Sequence, residues 1–513
     1  MLFQMLRNSI LTKVLGLIVL TLLLCIPLSE IDTLNRGRGD SQREAAEELA
    51  STYTGPQTVI GPVLVVPYTE RWNELQRNSS GKAIGTVQRS AQRVHLVFPD
   101  KLHIEGALAP QERYRGIFKI PFYALDATLS GGFAPFESRK VQRLGPDTNL
   151  EFRTPYVVFN LSDLRGLDGS PTLTMQGETL RFAQRMPGLS DQAFGAGIHA
   201  PLGGAALTAW LDGKALPFEM KVGVVGQETL SLVPIADETT AHLQSPWAHP
   251  RFGGRFLAAE RSIDAKGFDA RWRVSSLVSS AREQVRAGWL DDRATASASA
   301  VDVARAAPAR GDSVAVEAMA STTHAAPPAG PLQTFDVSLA QPLNVYAMST
   351  RAGKYGALFI GLVLMAAFMA ELFGRLRLHT VQYGLVGLSI ALFFLLLLAL
   401  SEKLAFGLAY AAAAGASVAL LAIYFSAALG GWRRGMGFGA YVAVLYAALY
   451  GLLASESNAL LLGALLTFGM LAALMLATRK VDWYALSRSN TQVLPESQEP
   501  MRPAATPTEP TPR

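Results

Sequence analysis

Residues Ile390–Leu400 read IALFFLLLLAL, an apolar run without the polar stripe that a surface helix of a soluble protein presents. The run belongs to a longer apolar stretch, 381 to 400, which is long enough to cross about 30 Å of hydrocarbon as a helix. The sequence therefore predicts a transmembrane helix here. A buried helix of a soluble protein is the alternative.

The composition of the whole chain favours the membrane. Of the 513 residues, 50% are hydrophobic and 17% are charged, with a mean hydropathy of +0.22, whereas soluble proteins carry about 25% charged residues. The apolar residues are concentrated in runs of bilayer length. Six spans are predicted, at Leu11–Leu28, Tyr355–Phe373, Val381–Leu400, Leu404–Leu429, Met436–Ala454 and Asn458–Ala477.

The first run suits an uncleaved anchor, residues 1–29, better than a secretory signal. Arg7 and Lys13 supply its positive flank, and no small-residue cleavage site follows Leu28. Lipidation at Cys25 is disfavoured because the preceding residue, Leu24, is large. Since Cys25 is the single cysteine, an exported domain must fold without an intrachain disulfide.

The distribution of lysine and arginine predicts the orientation, because cytoplasmic loops carry the positive excess. Pairs of cations occur on one side of the predicted spans. They precede the first span, lie between the second and third and between the fourth and fifth, and follow the last: Arg7 and Lys13, Arg375 and Arg377, Arg433 and Arg434, Arg479 and Lys480. Both termini are therefore predicted to be cytoplasmic, with residues 30–350 on the opposite side and a bundle of five spans at 351–480.

Residues 30–350 are predicted to form a β-rich domain, because several stretches alternate apolar and polar residues with period two. Examples are 218–222, 268–274 and 335–339. Gly61-Pro62 and Gly131-Gly132 resemble turns, so we expect an antiparallel sandwich or an open barrel. Residues 41 to 54 suggest a short helix after the anchor.

Two segments have compositions typical of disorder. Residues from about 284 to 331 are rich in Ala, Ser, Thr and Pro and are predicted to be a low-complexity insertion, and residues 481–513 to be a disordered cytoplasmic tail. The tripeptide Arg310-Gly311-Asp312 is interpreted as a chance match within the insertion.

No catalytic, cofactor-binding or metal-binding residue is predicted. The seven histidines lack zinc-site spacing, and no nucleophile elbow, phosphate-binding loop or dinucleotide fingerprint occurs. They are interpreted as solvated or core residues. The net charge of +5 is explained by the cytoplasmic loops, so nucleic acid is not expected as a partner.

A few residues remain as functional candidates. Glu371 lies inside a predicted span, where ionisable groups are costly, although an ion pair with Arg375 would explain it equally well. Glu402 lies at the opposite membrane surface. Trp247 and His249, in a proline-bounded turn, are the places where an enzyme would carry a sugar-stacking surface and an acid or base. A rigid structural turn is the preferred interpretation of this pair.

The five C-terminal spans contain no proline, which disfavours the broken helices of a transporter. Small residues at four-residue spacing predict close helix packing instead. They form two stripes: Ala411, Gly415 and Ala419, then Ala443, Ala447 and Gly451.

The chain resembles the CreD family of bacterial inner-membrane proteins. The motifs that carry the resemblance include GPQTVIGPVLVVPYTE at Gly55–Glu70, SPWAHPRFGGRFLAAER at Ser245–Arg261 and TRKVDWY at Thr478–Tyr484. It covers nearly the whole chain except the insertion and the tail. The resemblance implies a Gram-negative inner-membrane location, control by a two-component pair, and links to envelope integrity, colicin tolerance and the β-lactam response. It implies no catalytic residues.

The leading hypothesis is a non-enzymatic envelope protein. Its periplasmic β-rich domain would bind an envelope component, whether a protein partner, a lipid or a glycan, while the helices anchor it in the bilayer. One alternative is a transporter or channel that uses the bundle. A second is an enzyme or handler of peptidoglycan or lipid. The sequence does not define an oligomeric state.

Overall fold

The computed structural model describes residues 10–77, 83–143, 147–290, 330–339, 345–374, 378–454 and 459–479. Its contacts divide the chain into two compact units, residues 1–39 with 343–513 and residues 40–342. We call the first the helical unit and the second the β unit. The predicted tail, most of the predicted insertion and Arg375 lie outside the described residues.

Eight α-helices occur in the described residues. They are α1 (Ile10–Thr52), α2 (Gly204–Leu211), α3 (Ala281–Trp289), α4 (Val345–Gly374), α5 (Thr380–Ser401), α6 (Phe406–Ala428), α7 (Trp432–Ala454) and α8 (Ala459–Thr478). Helix α1 is continuous over 43 residues. The anchor and the short helix predicted at 41 to 54 are therefore parts of one helix.

Five helices in the described part of the chain are long and apolar enough to cross a bilayer. They are Thr12–Thr52, Tyr355–Leu372, Thr380–Ser401, Phe406–Ala428 and Trp432–Leu453. The sixth predicted span coincides with α8, which is 20 residues long. Since α8 is not among the five, the six-span prediction is not confirmed.

Aromatic side chains form much of the buried core of the helical unit. The ring of Phe393 lies 4.4 Å from that of Tyr446 and 5.5 Å from that of Tyr410. The Tyr410 hydroxyl donates to the Tyr446 carbonyl at 2.7 Å. Because an unbonded hydroxyl is costly in an apolar interior, this bond satisfies a group that the core would otherwise penalise.

The predicted small-residue stripes are not the packed ones. Both stripes are exposed, and a Cβ at Gly415 or Gly451 would meet nothing within 4 Å. The close approaches occur at other glycines. A Cβ at Gly387 would lie 2.1 Å from Leu24 Cδ1, and one at Gly435 would lie 2.1 Å from Ser426 Oγ. The prediction was wrong because spacing alone does not say which face of a helix has a neighbour.

Seventeen strands occur in the described β unit. They are β1 (Gln57–Arg77), β2 (Ala83–Val97), β3 (Lys101–Arg115), β4 (Phe118–Phe133), β5 (Asn149–Phe152), β6 (Tyr156–Leu161), β7 (Leu167–Met175), β8 (Glu178–Leu180), β9 (Ala183–Gln184), β10 (Gly197–Pro201), β11 (Leu216–Gln227), β12 (Thr229–Leu232), β13 (Glu238–Ser245), β14 (Pro250–Gly254), β15 (Glu260–Asp264), β16 (Gly267–Ser275) and β17 (Phe335–Leu339).

The strands form two mixed sheets. One has the order β14-β17-β12-β1-β6-β10-β9, with β2 and β5 also paired to β1, and the other has the order β15-β16-β13-β3-β4-β11-β7-β8. The predicted antiparallel sandwich or open barrel is not confirmed, because β1 pairs with β12 in parallel and β3 pairs with β13 in parallel. The Gly61-Pro62 pair does not form a turn. It lies inside β1, where the register with β6 shifts.

One hydrophobic core joins the two sheets. Trp272 of the eight-stranded sheet stacks on Phe335 of the other sheet, with ring centroids 5.4 Å apart. The opposite face of the eight-stranded sheet is partly covered by the last turns of α1. There Leu49 and Tyr53 pack on Phe122, and the guanidinium of Arg113 lies 3.9 Å from the Tyr53 ring centroid. Within the described part of the β unit, the rest of that outer face carries half-buried and exposed side chains.

Helix α3 overlaps the start of the predicted insertion. The helix buries Ala281, Val285 and Trp289 at fourfold spacing against the core of the β unit. The prediction of disorder from about 284 is therefore wrong for residues 284–289. The sequence analysis missed the amphipathic spacing of these three residues because a long polar low-complexity segment follows them directly.

Candidate functional site

The open part of the outer face of the eight-stranded sheet carries a group of polar side chains that we call the polar face. It consists of Lys101, His103, Glu105, Thr240, His242 and Asp269. Alternate residues of a strand share a face. The parallel register of β3 and β13 sets His103 beside Thr240 and Glu105 beside His242. Strand β16 adds Asp269 from the other side of β13.

Hydrogen bonds connect these side chains across three strands. His103 contacts Thr240 Oγ1 at 2.8 Å through Nδ1 and Glu105 Oε1 at 2.8 Å through Nε2. His242 contacts Glu105 Oε2 at 2.9 Å through Nδ1 and Asp269 Oδ2 at 2.9 Å through Nε2. The Glu105 carboxylate thus bridges the two imidazoles, and the array runs from Thr240 to Asp269.

The ring of His242 lies between two carboxylates, those of Glu105 and Asp269. The Gln244 amide nitrogen also lies 3.1 Å from His242 Nε2 and donates to Asp269 Oδ2 at 2.9 Å. The hydrogen bond from His242 holds the pKa of Asp269 below its ordinary value. The lowered pKa of Asp269 stabilises the fold fully at pH values above the ordinary aspartate pKa. This contribution is lost as the pH falls through the lowered pKa. Solvent exposure of Asp269 keeps the contribution small.

A groove of about 330 Å³ opens beside His103. Its lining is Lys101, Leu102, His103, Ser130, Gly131, Glu238 and Thr240. The Leu102 side chain is buried, and the accessible surface combines polar groups with apolar parts of the lining residues. A Cβ at Gly131 would lie 2.0 Å from the Lys101 carbonyl oxygen, which means that only glycine allows β3 and β4 to pair here. The polar residues of the lining allow the groove to bind a ligand through hydrogen bonds and charge.

Trp247 and His249 lie between β13 and β14, away from this array. Trp247 is partly buried against the core, and its Nε1 donates to the His249 carbonyl at 3.0 Å. The His249 imidazole is exposed, and among the described residues it has no hydrogen-bond or ion-pair partner. This geometry gives the pair a role in the turn and supplies no positioned acid or base.

Glu371 is the most buried carboxylate among the described residues of the helical unit. Its Oε1 lies 2.5 Å from Lys13 Nζ on α1, and its Oε2 accepts the Tyr383 hydroxyl of α5 at 2.5 Å. The sequence offered Arg375 as its partner, but Lys13, from the predicted anchor, pairs with it instead. The side chain of Lys13 is 44% exposed, so its ammonium keeps contact with the surroundings.

Glu402, the second membrane candidate, is also paired. It lies 3.3 Å from Arg38 Nε, and only 17% of its side chain is exposed. Nearby on α1, Asn35 donates to Thr350 Oγ1 of α4 at 2.6 Å. Polar contacts therefore join α1 to its neighbours at both of its ends within the helical unit.

The polar face was missed in the sequence because His103 and His242 were interpreted as solvated or core residues. The signal was present in part, since His103 and Glu105 alternate with buried Leu102 and Ile104. What could not be read was the parallel pairing of β3 with β13, whose contacting residues are 137 positions apart. In the described residues, no group of three His, Cys, Asp or Glu side chains is arranged to hold a metal ion.

Several apolar helices and a large mixed-sheet unit define a multi-span helical membrane protein that carries a β domain with an open polar face. The chain belongs to the family described as inner membrane protein CreD, whose sequence model matches residues 9–484. It is 30% identical to inner membrane protein CreD of Escherichia coli strain K12 over 483 residues, 94% of this chain and 96% of that protein. Both the predicted family and the membrane location are thereby confirmed.

Solved structures provide only a distant likeness. An M1 zinc metallopeptidase from Deinococcus radiodurans matches at 9% identity and a TM-score of 0.18, over 34% of this chain and 38% of that chain. A mutant of that enzyme gives the same TM-score at 8% identity. A similarity this low supports no conclusion about fold or activity.

Proposed function

We propose that the chain crosses the inner membrane six times, with both termini in the cytoplasm and residues 30–350 in the periplasm. The described cations at the ends of spans support this orientation, since Lys13, Arg433 and Arg434 all fall on the predicted cytoplasmic side. The proposal includes α8 as the sixth span, because an even number of crossings returns the C-terminus to the side of the N-terminus.

Reporter fusions test the crossing number. Alkaline phosphatase joined near residue 300 is expected to be active, and the same reporter joined after residue 485 is expected to be inactive. A fluorescent protein after residue 485 should fluoresce, because it folds in the cytoplasm. Phosphatase activity at the second position would reduce the spans to five, and an inactive fusion near residue 300 would reverse the orientation.

The β unit then serves as a periplasmic binding domain in the envelope stress response. The observation that carries this proposal is the polar groove of about 330 Å³ beside the linked array on the polar face. Because Lys101, His103 and Glu238 supply charge and hydrogen-bonding groups to its lining, the proposed ligand is a glycan or a polar segment of an envelope protein. The helical unit anchors the domain in the membrane, and the proposed role of the domain is binding without chemistry.

The groove can be tested through colicin tolerance on overproduction, the property that family membership suggests. Replacing Lys101 and His103 by alanine is expected to lower the tolerated colicin concentration about tenfold, equal to about 1.4 kcal/mol of lost binding. The matched control replaces Asp212 and Lys214, an exposed ion pair outside the groove. Both variants must reach wild-type abundance in the membrane. Full tolerance in the groove variant would remove the groove from the function.

Transport through the bundle is the second candidate, favoured by the burial of Glu371 between α1, α4 and α5. A buried carboxylate inside a span is a functional candidate by default. Its two short contacts, to Lys13 and Tyr383, also suit a purely structural tie. The stability and tolerance of Glu371 variants separate these two roles.

A further inference from the structure

An exposed edge of the β unit combines unpaired cations with exposed apolar side chains. We call residues 255–266 the edge segment; it comprises the connection after β14, the edge strand β15 and the turn into β16. Its three cations are Arg255, Arg261 and Lys266, and all are exposed. Within the described residues, none of their side chains makes an ion pair or a hydrogen bond. These cations are free to bind an external anion.

The acidic residues of the edge segment are already engaged. Glu260 lies 3.5 Å from Arg271 Nη1 of β16. Asp264 Oδ1 accepts the backbone N–H groups of Lys266 and Gly267, at 2.7 and 3.1 Å. The negative charges are therefore used in local contacts, whereas the positive charges remain available to a partner.

The side chains of strand β15 lie on two faces, and its acidic residues lie on the face opposite its exposed cation and apolar residue. Arg261 and Ile263 are paired with Ala270 and Phe268, which are buried, so they share the core-side face where the edge strand extends past the core. Ile263 is nevertheless 46% exposed. Glu260 and Asp264 alternate with them and lie on the opposite face.

Exposed apolar surface accompanies the unpaired cations along the segment. Leu257, in the connection between Arg255 and Arg261, is 66% exposed. A soluble anion would use the cations and leave Leu257 and Ile263 in water. A phospholipid surface uses both, because headgroup phosphates attract cations and the interfacial layer accepts apolar side chains.

We propose that the edge segment docks on an anionic phospholipid surface. Arg255, Arg261 and Lys266 contact the headgroup phosphates, while Leu257 and Ile263 enter the interfacial layer. A cation near such a surface strengthens binding by about fivefold, so the three together contribute about a hundredfold. The association is reversible and salt-dependent, because exposed charges are screened. This inference is independent of the polar groove.

The full chain in phosphatidylcholine nanodiscs tests the proposal. A fluorophore sensitive to polarity is attached at Ala259→Cys, an exposed position between Leu257 and Arg261, in a Cys25→Ser background that removes the native thiol. Vesicles of phosphatidylglycerol are expected to shift the emission to the blue and to carry the nanodiscs upward in a flotation gradient. Vesicles of phosphatidylcholine are expected to do neither, and about 0.5 M salt should reverse the binding.

Charge variants decide whether the edge segment is responsible. Changing its three cations to glutamine is expected to weaken binding to phosphatidylglycerol vesicles about a hundredfold. The control neutralises three cations that already pair with carboxylates and so alters the net charge equally: Arg71→Gln, Lys214→Gln and Lys221→Gln. That control is expected to bind within about threefold of wild type. Equal binding to both vesicle types, or equal weakening in both triple variants, would overturn the proposal.

Discussion

Replacing Trp289 with alanine is expected to lower the free energy of unfolding of the β unit by about 3–5 kcal/mol. Trp289 is the last residue of α3 and is 1% exposed within the core that joins both sheets. Truncating it removes apolar contacts and leaves a cavity that the surrounding strands can fill only in part. A loss of this size is a large part of the stability of a typical domain.

Two control variants separate the effect of lost side-chain volume from the effect of the lost N–H group and from the effect of the position in the fold. Trp289→Phe keeps most of the volume and removes an Nε1–H group that has no hydrogen-bond partner, so we expect a change of at most about 1 kcal/mol. Leu277→Ala changes a side chain that is 93% exposed and should alter stability by no more than about 0.5 kcal/mol.

Pulse proteolysis of the full chain in detergent, across a urea series, measures the midpoint for the β unit in all three variants. A Trp289→Ala midpoint equal to that of wild type would exclude α3 from the core. It would also restore residues 284–289 to the low-complexity insertion.

The helical unit was predictable because the bilayer imposes a length and an apolarity that the sequence displays directly. Tyr355–Phe373 and Val381–Leu400 were predicted almost to the residue, at Tyr355–Leu372 and Thr380–Ser401. The sequence did not predict which face of each helix packs against a neighbouring helix, and the small-residue stripe at Ala411 and Gly415 is exposed. Hydropathy reports that a helix enters the bilayer, but in a bilayer both lipid and protein neighbours are apolar, so the pattern does not distinguish them.

The β unit was predictable only strand by strand. Alternation located β11, β16 and β17 because each has one buried and one wet face. The order of the strands depends on contacts between distant segments, which alternation does not encode. The polar face is the direct consequence: His103 and His242 become partners only because β13 lies parallel to β3.

The ion pair of Glu371 inside the helical unit also depends on a contact between distant segments of the chain. The sequence placed Glu371 correctly in a span, because an acidic residue among apolar ones is conspicuous. Its partner was assigned by proximity along the chain, to Arg375, whereas the structure supplies Lys13, which is 358 residues away. A buried carboxylate requires a partner, but it does not specify where in the sequence that partner lies.

Replacing Glu371 with alanine is expected to lower the stability of the helical unit by about 2–3 kcal/mol. The change leaves the Tyr383 hydroxyl and the Lys13 ammonium without their acceptor. Breaking a fully buried pair costs about 3–5 kcal/mol, and the smaller value follows because Lys13 is 44% exposed and can turn toward solvent. Unfolding of the full chain in mixed micelles of increasing denaturing detergent measures the loss.

A double-mutant cycle with Lys13→Ala shows whether the ion pair itself is responsible. We expect the double variant to be about 1–2 kcal/mol more stable than the sum of the single losses predicts, because the second truncation no longer strands a charge. Additive losses would mean that Glu371 and Lys13 act independently. Tyr383→Phe is the matched control for the other contact, and it should cost about 1.5–3 kcal/mol, the net value of one hydrogen bond to a charged group.

The same variants separate a structural tie from a proton or ion carrier. Glu371→Gln keeps the shape of the side chain and an oxygen for the Tyr383 hydroxyl, but it cannot carry charge. A tie predicts that this variant retains colicin tolerance once its abundance in the membrane equals that of wild type. A carrier predicts loss of tolerance at equal abundance, because the exchangeable proton is gone. We expect the first result, since direct contacts to Lys13 and Tyr383 already hold both oxygens of Glu371 in place between helices.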